Sequence, residues 1–217
     1  MSKNKLYLLA IACGLSFTAN AQTVEEETLK PVAGNKTLEA TLSFSGGPST
    51  QIKLRKFKSE QMALRYTTGI SYSYTQPAED ASSSNLTLSF APGFEKHFGG
   101  NRRLSPYLGF AVPIAVSTKS YKDDQVEAKG TDSPGVYGNY NRSYFSAGVN
   151  GLAGVDLYIV KNFYVGFEAG IGLSYLNYAD VEVKYKNDFT RNINSEGHHG
   201  LDFRTFTNGN LRIGFAF

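Results

Sequence analysis

The sequence has one cysteine, three histidines and no tryptophan. Beyond its amino-terminal 20 or so residues it holds nothing approaching the ~20 consecutive apolar residues of a membrane helix, which excludes a helical bundle in the bilayer. The single cysteine, Cys13, falls in a segment expected to be removed, so the mature chain has no thiol. Disulfide-stapled folds and Cys-ligated zinc drop out together. Charge of one sign is also missing. The 22 basic residues face 19 acidic ones, and two of the basic residues, Lys3 and Lys5, lie in that same amino-terminal segment. A nearly balanced chain gives no electrostatic case for a nucleic-acid partner. What remains is apolar and small: 15 Phe, 14 Tyr and 22 Gly in 217 residues. Disordered chains are poor in aromatics, so this length reads as one folded domain, or two small ones.

Residues 1–21 read as an export signal. Lys3 and Lys5 make a positive start, 6–17 an apolar stretch, and Ala19-Asn20-Ala21 a small-x-small cleavage site before Gln22. The stretch is too short for a membrane anchor. Lipoprotein processing at Cys13 is the rival, but Ala10-Ile11-Ala12 lacks the leucine such a site usually carries. Residues 22–35, with Glu25-Glu26-Glu27, Pro31 and Gly34, read as a short polar periplasmic arm.

From Lys36 to the last residue the chain alternates with period two. Strands are predicted near 37–45, 51–57, 62–74, 85–98, 108–117, 145–157, 163–175 and 210–217. In the seventh, Phe163, Val165, Phe167, Ala169, Ile171 and Leu173 oppose Tyr164, Gly166, Glu168, Gly170 and Gly172. Each run has one apolar face and one small or polar face, and no segment after the signal has a helical period. Short links (58–61, 99–103, 161–162) alternate with longer ones (76–84, 120–142, 186–200); only the link at 46–50 is short for its side.

Short turns at one end and long loops at the other are the pattern of an outer-membrane barrel. The fold expected is therefore all-β: an antiparallel up-and-down transmembrane β-barrel of eight strands over 36–217, with short periplasmic turns and longer extracellular loops. A soluble sandwich is the competing architecture. It would wet a face rich in Lys and Glu, whereas the minor face here is mostly Gly, Ser, Ala and Thr. Aromatics near strand ends (Phe44, Tyr72, Tyr74, Phe145, Tyr175 and Phe203 at one rim; Phe94, Phe163, Phe215 and Phe217 at the other) suggest two interfacial girdles.

The terminal Leu211-Arg212-Ile213-Gly214-Phe215-Ala216-Phe217 resembles the C-terminal strand signal of bacterial outer-membrane proteins. Segments such as Ala63-Leu64-Arg65-Tyr66 and Leu152-Ala153-Gly154-Val155-Asp156 fit the same style, and over 36–217 the chain is similar to the eight-stranded superfamily of OmpX and OmpA-type barrels. The resemblance implies a Gram-negative outer-membrane location. It also implies that the barrel-assembly machinery reads Leu211, Ile213, Phe215 and Phe217. The periplasmic peptidoglycan-binding domain of OmpA proteins is expected to be absent.

The inward face carries Glu39, Arg55, Arg65, Glu95, Asp156, Glu168 and Arg212, with Lys53 and Arg204 farther along. The interior of an eight-stranded barrel is just filled by side chains, so these charges must neutralise one another. The seam between the last strand and the first makes Glu39 with Arg212 the expected pair. The cluster is either a gate that exchanges partners or a static plug, and the plug is preferred. Inward glycines at 148, 154, 166, 170 and 172 would make room for Tyr107, Tyr158 and Tyr164. No helix follows them, so they are no nucleotide fingerprint. His198 and His199 lie in a predicted loop and His97 beside a turn. No motif marks a serine nucleophile, and no catalytic, cofactor or metal site is expected. Lys53, Arg55, Lys56 and Lys58 are split by alternation between lumen and lipid side. The expected role is structural or interactive, as an envelope-stabilising barrel, a surface-loop binder or an accessory subunit of an outer-membrane complex. Alternatives are a narrow channel for ions or small solutes and a lipid A-modifying enzyme. Lipid and lipopolysaccharide are the expected surroundings.

Overall fold

Alternating apolar and small residues are compatible with a two-sided sheet, and most of the described chain is strand. The computed structural model describes residues 29–42, 50–99, 101–135 and 138–217. The expected export signal, most of the polar arm, Phe44 and the link at 46–49 lie outside the described residues. The strands are β1 (Lys36–Leu42), β2 (Thr50–Ser59), β3 (Met62–Ala78), β4 (Ala81–His97), β5 (Leu104–Ala111), β6 (Ile114–Lys122), β7 (Val126–Lys129), β8 (Tyr144–Val160), β9 (Phe163–Tyr178), β10 (Val181–Tyr185), β11 (Ile193–Ser195) and β12 (His198–Ala216). Two single 3-10 turns, Asn139–Asn141 and Phe189–Arg191, interrupt the outer loops.

Every pairing is antiparallel. The ladder runs from β1 through β2 and β3 to β4. It continues through β5 and β6 to β8, β9 and β12, and β12 pairs back on β1. β5 and β6 form one stave: both pair with β4 and both with β8. The break between them is Val112-Pro113, because proline has no N–H for the ladder. Counted this way the barrel has eight staves. In the seam Thr37 faces Ala216 and Leu38 faces Phe215. Lys36 and Phe217 exchange both backbone hydrogen bonds, each 2.8 Å.

The barrel has its polarity turned inside out. Glu39, Arg55, Glu95 and Asp156 are 0–1% exposed, while Leu108, Ile171 and Phe215 are more than half exposed. A soluble sandwich would bury the apolar face, so the outward apolar stripe decides for the membrane barrel.

Turns follow at one end: Glu60-Gln61, the link 98–103 and Lys161-Asn162. The opposite end differs from expectation. The link foreseen at 76–84 is a tight turn at Glu79-Asp80, because β3 and β4 pair up to Ala78 and Ala81. The loops foreseen at 120–142 and 186–200 contain β7 and β11. The short β10 pairs with both, extending the sheet outward from β6. Val126, Ala128, Val181 and Val183 bury one another there, flanked by Tyr121 and Tyr185. β12 begins at His198 rather than near 210.

Candidate functional site

Seven staves send charged side chains into the half of the lumen near the short turns. Alternation delivers Glu39 from β1, Lys53 and Arg55 from β2, Arg65 from β3, Glu95 from β4, Asp156 from β8, Glu168 from β9 and Arg212 from β12. All eight groups are at most 5% exposed. Four cations meet four anions. Arg55 is the hub, reaching Glu39 at 3.2 Å, Glu95 at 2.9 Å and Asp156 at 2.7 Å. Arg212 binds Glu39 at 3.0 Å and Asp156 at 3.1 Å. Arg65 binds Glu95 at 3.1 Å and Glu168 at 2.8 Å. Lys53 bridges Glu39 at 2.8 Å and Glu168 at 3.2 Å.

Neutral groups complete the carboxylates' hydrogen bonding. Tyr107 donates to Glu168 at 2.5 Å and Tyr164 to Glu39 at 3.1 Å. The Arg55 guanidinium also lies 5.0 Å from the Tyr164 ring centre. Isolated charges in such an interior would cost several kcal/mol each, and mutual pairing offsets that cost.

The structure thus brings together Glu39, Arg55, Arg65, Glu95, Asp156, Glu168 and Arg212 in one cluster. Glu39 and Arg212 meet diagonally: Glu39 faces Gly214, and Arg212 faces Thr41. Two further members were placed elsewhere from sequence. Lys53 had the right parity but was placed farther along. His97 was read as a turn neighbour, yet it is 2% exposed. Its Nδ1 lies 3.0 Å from Ser105 Oγ and its Nε2 3.2 Å from Glu95 Oε2. Phe57 and Tyr107 pack on its ring.

Glycines shape the floor, with a changed assignment. A Cβ at Gly154 would collide with the Tyr107 ring, as anticipated. Tyr164 instead needs Gly214. A Cβ at Gly166 would sit 2.6 Å from both the Arg212 guanidinium and the Asp156 carboxylate. Gly148, Gly170 and Gly172 make room for Ser174, Phe206 and Asn150, not for tyrosines.

The outer half of the lumen is not filled. A cavity of about 1030 Å³ stands above the floor, from Arg65 and Glu168 up to Tyr144, Tyr178 and the loop residues Asn139 and Tyr140. The expectation of an interior filled throughout fails there, because many of the inward residues are Ser, Thr and Asn, too small to meet across the lumen.

An outward apolar stripe, an inward ion cluster and a closed run of antiparallel pairings define a membrane barrel. Residues 71–217 match the model of a family described as "Putative OmpA-OmpF-like porin family". The chain belongs to that family. This porin-family barrel is an outer-membrane β-barrel protein. Among solved structures it is similar to the N-terminal β-barrel domain of Pseudomonas aeruginosa OprF, at 14% identity and a TM-score of 0.42, covering 85% of this chain and 98% of that one. No curated protein matches the chain.

Other singled-out residues of this porin-family chain lie apart from the ion cluster. His198 and His199 sit on the first residues of β12, not in a loop. Their rings stack on Tyr178 and Tyr175, and His198 Nε2 lies 2.6 Å from Asn139 Oδ1. Arg204 pairs with Asp202 at 3.2 Å near the outer end. Lys56 and Lys58 are exposed while Lys53 and Arg55 are buried, so the basic run is split between two faces. Leu211, Phe215 and Phe217 point outward and Ile213 is half-buried.

Proposed function

We propose that this barrel is a closed outer-membrane scaffold with a structural or interaction role, presenting its outer loops and sheet extension to a partner. One observation carries this reading: four cations and four anions, all buried and mutually paired, occupy the lumen above the short turns. A plug of that kind ties seven staves to one another and opposes ion passage. In the same reading residues 1–21 are removed on export and 22–35 remain as a periplasmic arm. Phospholipid and lipopolysaccharide surround the apolar stripe, and the assembly machinery reads β12. In this account the chain is no enzyme and works through a partner. A larger outer-membrane complex is the natural setting for a barrel without chemistry of its own. Co-purification from native membranes in mild detergent would identify the partner.

The test of closure is single-channel recording in planar bilayers. The expected result is no steady conductance from the folded barrel. A stable conductance would overturn the closed reading and favour a narrow channel for ions or small solutes. The hollow outer half supports that second reading, because it leaves the ion cluster as the main barrier to passage.

A further inference from the structure

We infer that the outer half of the lumen is a binding cup for a short uncharged saccharide. The cavity of about 1030 Å³ lies at the upper end of the roughly 300–1,000 Å³ usual for ligand sites. Its wall supplies neutral hydrogen-bonding groups along four consecutive staves, β4, β6, β8 and β9. On β4 and β6, Asn85, Thr87 and Ser117 form a linked set: Thr87 donates to Ser117 at 3.0 Å, and Ser117 to Asn85 at 3.2 Å. Beside them, β8 and β9 contribute Ser146, Asn150 and Ser174.

Charge selects the class of ligand. The ionised groups on the wall already hold counter-charges. Arg65 is bound to Glu168 at 2.8 Å, Arg204 to Asp202 at 3.2 Å, and Lys119 to Asp132 at 2.8 Å. At the bottom of the cup a charged solute would have to break the buried Arg65–Glu168 pair and leave a partner without compensation; the exposed Arg204–Asp202 pair at the rim opposes it only weakly. A neutral polyhydroxylated solute needs only the amides and hydroxyls that remain. Near the mouth, Tyr144 and Tyr178 stand edge to face, with centroids 6.3 Å apart, and Phe206 lies half-buried below them. Aromatic faces of this kind accept the C–H faces of a sugar ring, while the hydroxyl rim meets the Ser, Thr and Asn side chains. The inference uses the closed floor, which makes the cavity a cup rather than a passage. Conductance tests the floor and binding tests the cup, so either can fail alone.

The experiment is a backbone-amide NMR titration of the folded chain in lipid nanodiscs. Maltotriose is the uncharged probe and glucose 6-phosphate the charged comparison. Maltotriose is expected to give saturable shifts at Thr87, Ser117, Asn150 and Ser174, and the phosphorylated sugar none there. Ser117→Phe fills the cup from β6, and Asn150→Leu removes polar groups from the neighbouring β8. Each should weaken maltotriose binding by about tenfold or more while the barrel keeps its heat-modifiable migration. The two variants sit on different staves, so a folding failure in one leaves the other to decide. Absence of saturable shifts, shifts confined to 138–142, equal response to the charged sugar, or undiminished binding in a folded variant would each overturn the proposal.

Discussion

Arg212 and Glu39 belong to chain ends that meet only when the barrel closes, and their carboxylate–guanidinium contact at 3.0 Å spans that seam. Glu39 also holds Lys53 and Arg55, so its loss leaves an excess cation among three. Glu39→Gln and Arg212→Gln should each cost about 3–5 kcal/mol, the usual penalty for breaking a buried pair. The double variant restores neutrality and should cost less than the sum, by about 0.5–3 kcal/mol. Urea unfolding in lipid measures all three, and additive losses would mean that the seam pair is not coupled. These residues were legible because parity alone turns Glu39 and Arg212 inward. Parity also turned Lys53 inward, but its depth depended on the register of β2 against β1, which places Lys53 opposite Glu39. His97 was hidden for a different reason. Its burial comes from Phe57 on β2 and from Ser105 and Tyr107 on β5, and no local pattern reports them.

β12 shows how an element combines a legible face with an illegible length. Its last seven residues alternate strictly, whereas Gly200 and Asn208-Gly209-Asn210 read as strand breakers. The long β9 nevertheless pairs with it from Tyr178 down to Phe163, across an irregularity between Asn208 and Arg212. Deleting Phe217 should leave protease-sensitive, unassembled chain in the periplasm, because the outward stripe then loses its final aromatic. Heat-modifiable barrel in the membranes of that strain would count against recognition at this end. The outer strands β7 and β10 were missed because four or five residues hold too few alternations. Their identity comes from burying Val126 and Ala128 against Val181 and Val183. The turn that starts β7 depends on Asp123. Burial would raise its carboxyl pKa, but hydrogen bonds from the Gln125 and Val126 backbone and from Tyr121 outweigh this and hold it below the usual value. A depressed acid stabilises above its unfolded pKa and loses that contribution as pH falls through the folded one. Protection of the Val126 amide, referred to its intrinsic exchange rate at each pH, should therefore fall in acid, and Asp123→Asn should flatten that pH dependence. An unchanged profile in Asp123→Asn would assign the turn to its backbone alone.

For the whole molecule, orientation links the two halves of the lumen to the two sides of the membrane. The ion cluster lies toward the short turns and the chain's last residue, and the cup opens toward the loops carrying β7, β10 and β11. The short-turn end should face the periplasm, because long loops gather at the other end. The insertion point for a test follows from local geometry. Gly130 is unsuitable: its φ is +81°, and an added Cβ would collide with the Asp180 carbonyl. Gly135, also at positive φ, has nothing within 4 Å of such a Cβ and sits in the same loop. A peptide epitope inserted after Pro134 should be labelled by antibody on intact cells, while the same epitope between Glu60 and Gln61 should be labelled only after the outer membrane is permeabilised. Folding of both insertions is checked by heat-modifiable migration, since neither site interrupts a ladder pairing. Labelling in the reverse order would invert the barrel, and the saccharide cup would then open to the periplasm.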